Sequence, residues 1–292
     1  MQAPATGASR GILLVMTAVV FFSIGDLLAK YLTRFYPIGL IVWARFTFHL
    51  LFIVVALGPK QRMDLIRTKH PVIQCLRGLL LLMGSVFFVS ALKFMPLAES
   101  TAIAYLAPIF VTLMSVIVLK EKVDTGRWIA VCCGFLGVLT IIRPGSNIFT
   151  WAVLLPIGNA LSFAVYQLLT RRLAGLESPY TSIFYAGLVG SILPLAILPS
   201  VWTPLHELSH ALAFLSIGIL GSAGHLILIK AYEYAPASRL APFSYSQLIW
   251  VAAIGFFVFG DFPDQWSLAG IAILLGSGIY IARSQRSVAK ER

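Results

Sequence analysis

Apolar residues run through this chain in long stretches that short polar segments separate. Ten stretches can be marked, at roughly 11–31, 37–57, 72–93, 98–119, 127–142, 150–170, 180–200, 211–232, 240–259 and 266–283. Most approach the roughly 20 residues that a helix needs to cross a hydrocarbon core of about 30 Å. Because lipid cannot satisfy backbone polar groups, such stretches are expected to be helical. The pattern predicts an all-α membrane protein with ten transmembrane helices, called spans 1 to 10 below.

The composition and the charge distribution support this prediction. Hydrophobic residues make up 59% of the 292 residues and charged ones 11%, whereas a soluble domain has about 25% charged residues. If span 1 starts in the cytoplasm, 16 of the 22 basic residues fall on the cytoplasmic side, and only Lys30, Arg34, Lys93 and Arg143 fall on the other. This positive-inside bias predicts a multi-pass protein of the cell inner membrane with both termini in the cytoplasm. It also accounts for the net charge of +11 without a nucleic-acid partner.

The two halves of the chain are weakly similar to each other. A shift of 140 residues aligns 91–124 with 231–264, and the identical pairs are Ala91/Ala231, Pro96/Pro236, Tyr105/Tyr245, Ile109/Ile249, Val111/Val251, Val118/Val258 and Asp124/Asp264. Each half would contain five spans, so the second copy must enter the membrane from the opposite face. The sequence therefore predicts two inverted five-helix repeats, residues 1–146 and 147–292. Such repeats are typical of secondary transporters with a substrate site near the bilayer midplane.

The first half also carries short motifs in a fixed order. They are WARF around Arg45, Arg77-Gly78 early in span 3, the ALKFMPLAES hairpin, Pro108 in span 4, Glu121 after it, and Gly134 and Gly137 in span 5. This set resembles the first repeat of EamA-type proteins of the drug/metabolite transporter superfamily. In the second half, Asp261 stands where glutamate is usual and Leu248 replaces a proline. The resemblance implies ten helices, a central cavity, and export or uptake of amino acids, nucleosides, vitamins or related metabolites.

Ionisable residues inside the predicted spans require an explanation, because each costs about 2.5–3.5 kcal/mol at the bilayer centre on insertion scales. They are Asp26, Arg45, His49, Arg77 and His225. One interpretation is that they line a hydrated path, with Asp26 and the histidines as proton or cation sites. The other is that Arg45 pairs with a carboxylate or with helix-end carbonyls to hold helices together, and that Arg77 snorkels to the cytoplasmic surface. Coupling to protons and facilitated diffusion both remain open.

Uncharged polar residues at helical spacing are the better candidates for substrate contact. With Asp26 and His225, the predicted substrate-binding residues are Tyr105, Asn159, Tyr166, Tyr245, Gln247 and Trp250. Tyr105 and Tyr245 are the strongest pair, because they recur at equivalent places in both repeats. Small residues also mediate helix packing in membranes, and Gly218 and Gly221 are interpreted in that way. The predicted site is a central cavity lined by spans 1, 3, 4, 6, 8 and 9.

One motif favours a different function. His206-Glu207-Leu208-Ser209-His210 matches H-E-x-x-H, in which two histidines on one helical face hold zinc and the glutamate acts as a base. A third ligand is missing nearby, although Asp261 and Asp264 are topologically possible. A membrane zinc metalloprotease is therefore the alternative hypothesis, and an amphipathic interfacial turn is the preferred interpretation of the motif.

The remaining sequence features favour a transporter without an enzymatic activity. No G-x-x-x-x-G-K-[ST] motif for ATP and no G-x-S-x-G motif is present. Cys75, Cys132 and Cys133 lie in apolar spans and are interpreted as small buried residues. We expect a secondary transporter that works by alternating access, with no cofactor and no metal. Its partners are a small-molecule substrate and the lipid bilayer.

Overall fold

The computed structural model describes residues 5–119, 125–143, 150–235, 240 and 243–290, and its regular structure there is entirely helical. The helices are α1 Ala5–Leu32, α2 Ile38–Gln61, α3 Pro71–Phe94, α4 Leu97–Ala104, α5 Ala107–Leu119, α6 Thr125–Ile142, α7 Leu154–Leu173, α8 Pro179–Ile192, α9 Leu198–Val201, α10 Leu208–Tyr234, α11 Ser246–Phe259 and α12 Gln265–Lys290. Short 3-10 turns follow α2, precede α7 and follow α8.

The helices coincide with the predicted spans. Within the described ranges, seven helical segments are long and apolar enough to cross a membrane, and three shorter apolar helices are Trp128–Ile142, Ser246–Phe259 and Gln265–Tyr280. These segments lie at the ten predicted positions, within a few residues at most ends. Glu121, from the motifs, and Asp124 and Pro236, from the repeat, lie outside the described residues.

The halves pack against each other through matching helix pairs. In one pair, Gly224 of α10 lies so close to α1 that an added Cβ would be 2.6 Å from the Phe22 ring. In the other, an added Cβ at Gly84 of α3 would be 3.0 Å from the Asn159 side chain of α7. Gly84 and Gly224 are separated by the same 140 residues as the repeat. Glycine lets two helices approach closely, so the repeat extends to their contacts.

Two further helix pairs cross between the halves. Helices α6 and α12 meet where Gly137 faces Gly270, and the Ser277 hydroxyl donates to the Ala130 carbonyl 2.6 Å away. Helices α2 and α8 meet where the Phe46 ring fills the space beside Gly190. In both pairs the missing side chain of a glycine makes the close crossing possible.

Spans 4 and 9 are interrupted helices. A turn at Tyr105 and Leu106 separates α4 from α5. Pro108 contributes to this break, because it has no amide hydrogen to donate to the carbonyl of Ala104. Tyr245 likewise lies in a turn between residues 243–244 and α11. No proline stands at the equivalent position in the second half, where Leu248 donates to the Tyr245 carbonyl instead.

Contacts along the helices define two ends of the bundle. Gly11, near the start of α1, packs on Ala231 near the end of α10. Helix α11 runs alongside α1 toward the Lys30–Asp261 ion pair, and α12 runs back in the opposite direction. The start of α1 and the end of α12 therefore lie together at what we call the terminal end. The opposite end, called the far end, carries residues 33–37, 95–96 and 260–264.

The three cysteines are not buried, contrary to the interpretation from the sequence. Cys75 of α3 and Cys132 and Cys133 of α6 are all exposed on the surface of the bundle. Apolar helices exposed in this way contact lipid in a membrane protein, so hydropathy cannot separate buried from lipid-facing positions.

Candidate functional site

A cavity of about 680 Å³ lies between the two halves of the bundle. Its volume is within the range of about 300–1,000 Å³ that is usual for small-molecule sites. Spans 1, 3, 4, 6, 8 and 9 contribute to its lining, as predicted, and α2, α8 and α12 contribute as well. The lining reaches Tyr232, two residues before α10 ends, so the cavity extends close to the terminal end.

A chain of polar contacts crosses the cavity wall from one half to the other. The Tyr105 hydroxyl donates to the Ser244 carbonyl at 2.8 Å and lies 3.3 Å from Oε1 of Gln247. The Gln247 amide donates to Oδ2 of Asp26 at 3.4 Å. The other Asp26 oxygen lies 3.5 Å from Nη1 of Arg45. This sequence of contacts connects the break in span 4 to the ion pair between α1 and α2.

The two tyrosines that recur in the repeats are neighbours. Their ring centroids are 4.9 Å apart with the planes tilted by 32°. Tyr245 also occupies the space beside Gly278 of α12, where an added Cβ would be 2.3 Å from the ring. Tyr105 and Tyr245 thus form one aromatic surface of the cavity, at the point where both interrupted helices meet.

Two histidines lie on the cavity wall beside the ion pair. The ring centroids of His49 and His225 are 6.3 Å apart, and the Phe22 ring is 5.0 Å from that of His225. Nε2 of His49 is 3.3 Å from the Ile183 carbonyl, to which it donates. This hydrogen bond fixes the ring orientation of His49 between α2 and α8.

The second aromatic and amide surface comes from α7. Phe163 and Tyr166 are stacked with centroids 5.6 Å apart, and Asn159 and Gln167 lie on the same wall. Together with the opposite wall, the cavity presents rings, amides and one ion pair. These groups can bind a flat aromatic compound that carries charged or hydrogen-bonding substituents.

Most of the residues predicted from the sequence come together in this cavity. Those that line it are Asp26, Arg45, His49, Tyr105, Asn159, Tyr166, His225, Tyr245 and Gln247. Trp250 does not line it and is 39% exposed. Trp250 is therefore not included among the substrate contacts proposed below.

Arg77 does not snorkel to the cytoplasmic surface, as one interpretation had it. It is only 3% exposed and donates to the Gln74, Tyr166 and Thr170 side chains at 2.8, 3.2 and 3.0 Å. Its guanidinium carbon also lies 4.8 Å from the Tyr166 ring centroid. Arg77 therefore ties α3 to α7 and orients Tyr166 toward the cavity.

Gly218 and Gly221 play different roles, although both were predicted to mediate packing. An added Cβ at Gly218 would be 2.4 Å from Cβ of Phe48, so this glycine allows α10 to pack on α2, as predicted. An added Cβ at Gly221 would meet nothing within 4 Å. Gly221 faces the open cavity, and the prediction for it was wrong.

Sequence reasoning missed several apolar rings of the lining, among them Phe22, Phe163 and Tyr232. In a sequence of this composition, phenylalanines are equally expected on the lipid-facing surface. The available signal for Phe22 was its position one helical turn before Asp26, which places both on one face of α1.

The H-E-x-x-H motif does not form the geometry of a zinc site. Helix α10 begins at Leu208, so His206 precedes the helix and the two histidines do not share a helical face. His210 is buried, and its two ring nitrogens lie 3.0 Å from the Tyr36 hydroxyl and 3.4 Å from the Tyr31 hydroxyl. Asp261 and Asp264 form ion pairs with Lys30 and Arg143. Among the described residues, no group of three suitable side chains could hold a metal ion.

Comparison with known proteins gives a consistent result. A family model described as the EamA-like transporter family matches residues 9–143 and 150–283. The S-adenosylmethionine uptake transporter of Rickettsia prowazekii is 29% identical over 95% of this chain and 94% of its own length. That of Rickettsia bellii is 30% identical over 97% of each chain. The riboflavin transporter of Vibrio cholerae is 28% identical over 94% of this chain and 93% of its own length.

A solved crystal structure also has the same fold. It superposes with a TM-score of 0.69 over 96% of this chain and 99% of its own, at 21% sequence identity.

Proposed function

Because the chain belongs to the EamA-like transporter family, we propose that it moves a small organic metabolite across the inner membrane by alternating access. Its ten transmembrane helices form two inverted repeats, residues 1–146 and 147–292, and both termini are cytoplasmic. The cavity between the repeats holds the substrate. The observation that carries this proposal is that cavity, which the predicted polar residues of both halves line together.

The paired packing of the helices supports the inverted repeats. Helix α1 packs on α10 as α7 packs on α3, and α2 packs on α10 as α8 packs on α3. The α2–α8 and α6–α12 pairs join equivalent helices. A two-fold axis parallel to the membrane would exchange the two halves and reproduce every one of these pairs. The start of α1 and the end of α12 lie at the same end of the bundle, and this supports termini on one side, as the basic-residue bias does.

The conformation supports alternation between two faces. The cavity extends toward the terminal end, whereas side-chain contacts join the halves at the far end. Among them are the ion pairs Lys30–Asp261 and Arg143–Asp264, the contact of Glu99 with Ser267, and the hydrogen bond of Tyr36 with His210. In this proposal the terminal end is cytoplasmic, and the conformation is the one that faces the cytoplasm. Rocking of the halves closes this end and opens the other.

S-adenosylmethionine is the first substrate to test. Four of the relatives are named S-adenosylmethionine uptake transporters, and the cavity offers complementary groups. Arg45 and Asp26 bind the carboxylate and ammonium of the amino-acid part, while the tyrosine and phenylalanine rings stack on adenine and contact the sulfonium cation. Riboflavin, named for other relatives, is the second candidate, because its flat ring system stacks on the same surfaces.

Counterflow in proteoliposomes tests the proposal. Vesicles loaded with unlabelled S-adenosylmethionine are diluted into radiolabelled substrate, and the same measurement is made with riboflavin. We expect transient accumulation of one of the two compounds above the level of protein-free vesicles. If neither compound exchanges, and a panel of amino acids, nucleosides and vitamins also fails, the transport function is contradicted.

A further inference from the structure

Glu99 is a buried acid at the far end that the cavity does not use. It lies in the first turn of α4, is 4% exposed, and its Oε2 atom has no hydrogen-bond partner. Its carboxyl lies beside Ser267 of α12, which is fully buried and belongs to the other half. The cavity lining begins only at Thr101, two residues further along the chain.

Lys30, the basic residue whose charge acts on Glu99, already pairs with another acid. Lys30 of α1 lies 3.0 Å from Asp261, and its Nζ also donates to the Met95 carbonyl at 3.2 Å. Arg143, after α6, pairs with Asp264. The other basic residues at this end are Arg34, which lies over the Phe259 ring of α11, and Lys93, which is exposed. An ionised Glu99 would therefore share the Lys30 ammonium with Asp261, and its burial would still disfavour the charge.

Burial disfavours the ionised carboxylate of Glu99 more than the neutral acid. We propose that Glu99 is a proton-dependent latch: the far end closes when the Glu99 carboxylate takes up one proton from water at that face, and it opens when the proton returns there. The inference rests on the proposed alternation of the two halves. It assigns to Glu99 a role in setting the ratio of the two conformations, and none in contacting the substrate.

The position of Glu99 explains why closure and protonation are linked. Its neighbour Ser267 belongs to the opposite half, so separation of the halves at the far end removes the cover and admits water to the carboxyl. Water stabilises the ionised form, so the open conformation binds the proton less tightly. Protons at the far face then shift the population toward the closed conformation, as any ligand of one state does.

A structural role is the competing explanation. Glu99 is in the first turn of α4, where a carboxylate interacts favourably with the free amides of a helix N-terminus. Its carboxyl also turns back to its own backbone amide. Glutamine at this position keeps the size and the capacity to accept that hydrogen bond, but it cannot titrate. Glu99→Gln therefore separates the two roles.

Cysteine accessibility of the full-length protein in nanodiscs tests the latch. The exposed Cys75, Cys132 and Cys133 are replaced, and a reporter is placed by Ser100→Cys, because Ser100 is fully buried and its hydroxyl has no partner. A second reporter, Gly221→Cys, faces the open cavity. The ratio of the two alkylation rates removes the intrinsic pH dependence of thiol reactivity. Labelling of the Gly221→Cys reporter in each variant shows that the cavity, and therefore the fold, is intact.

We expect this ratio to rise about tenfold between pH 5.5 and 8.5 in the protein with Glu99. In Glu99→Gln it should stay low and change less than twofold. Glu177→Gln, in a loop at the terminal end, is the matched control and should keep the original pH profile. A flat profile with Glu99 present, or the same rise in Glu99→Gln, would overturn the proposal.

A second variant keeps the test valid if Glu99→Gln does not fold. Glu99→Asp retains a titratable carboxyl, so it must keep the pH-dependent rise. A flat profile in Glu99→Asp also overturns the latch. The measurement needs no substrate. A latch confirmed in a protein without counterflow would contradict the transport proposal alone, and active counterflow with a flat profile would contradict the latch alone.

Discussion

The terminal end and the far end of the bundle differ in what lies between the two halves. Toward the terminal end a cavity with rings, amides and the Asp26–Arg45 pair lies between the halves, beside the contact of Gly11 with Ala231. At the far end they touch through ion pairs whose acids are partly exposed, with side-chain exposures of 39% for Asp261 and 46% for Asp264. Ion pairs of this kind contribute only about 0–1 kcal/mol each. These ion pairs can exchange for water, as a gate requires, whereas the buried His210 beside them bonds Tyr31 and Tyr36 of the other half.

The helix crossings in the middle of the bundle are of another kind. Gly137 and Gly270 bring α6 and α12 into backbone contact, and Gly190 accommodates the Phe46 ring between α2 and α8. Such close contacts cannot be exchanged for water without loss of packing. In the proposed mechanism the halves rock about these crossings. The contacts at the far end and the shape of the cavity then change.

The largest effect is expected where the cavity is filled. Gly221→Trp places an indole in open space beside His225, so the fold is retained but the substrate is excluded. We expect counterflow to fall by about 100-fold or more, because several kcal/mol of binding are lost to steric exclusion. Gly221→Ala is the matched control and should stay within about twofold, since its Cβ meets nothing within 4 Å. Full flux in the tryptophan variant would remove this cavity from the pathway.

The next effect concerns the ion pair of the cavity. Asp26→Asn leaves the Arg45 guanidinium without its carboxylate partner, and charged hydrogen bonds are worth about 1.5–3 kcal/mol. We expect the apparent affinity for substrate to fall by roughly 10–100-fold, measured as the concentration for half-maximal counterflow. Asp64→Asn makes the same chemical change on an exposed residue outside the cavity. An equal loss in both variants would show that the effect is not specific to the site.

A smaller effect is expected from the hydroxyl of Tyr105. Tyr105→Phe removes the donor to the Ser244 carbonyl but keeps the ring against Tyr245. A neutral hydrogen bond is worth about 0.5–1.5 kcal/mol, so transport should fall by about two- to tenfold. Tyr245→Phe is the comparison variant, because the described contacts of Tyr245 are made by its ring, and it should change flux by less than about twofold. Equal losses in the two variants would contradict the different roles assigned to them.

The smallest effect is expected at the far-end histidines. His206 precedes α10 and contributes its backbone amide to the Tyr36 hydroxyl, so His206→Ala should leave counterflow unchanged within about twofold. His210→Ala differs, because the buried ring bonds two tyrosines and its loss should lower the thermal unfolding temperature. Zinc bound stoichiometrically by the protein and lost in both variants would contradict this assignment.

Much of the fold follows from the sequence, because apolar length determines where a helix crosses lipid. The interruption at Tyr105 was not predicted, although Pro108 was noted, since a proline inside a span can kink a helix without breaking it. The cavity residues were found where polarity conflicts with lipid, as for Asp26 and Gln247. Gly221 was assigned wrongly, and Trp250 lies outside the cavity lining, because hydropathy does not tell which side of a helix faces the cavity.

The most direct test of the account is to fix the far end in its closed state. In a background without the three native cysteines, Lys30→Cys and Asp261→Cys are joined by a short bifunctional thiosulfonate reagent, and counterflow is measured before and after reduction. Closure of this end should block exchange by about tenfold or more, and a reducing agent should restore it. Unchanged counterflow in fully cross-linked protein would contradict alternating access through separation of these two halves.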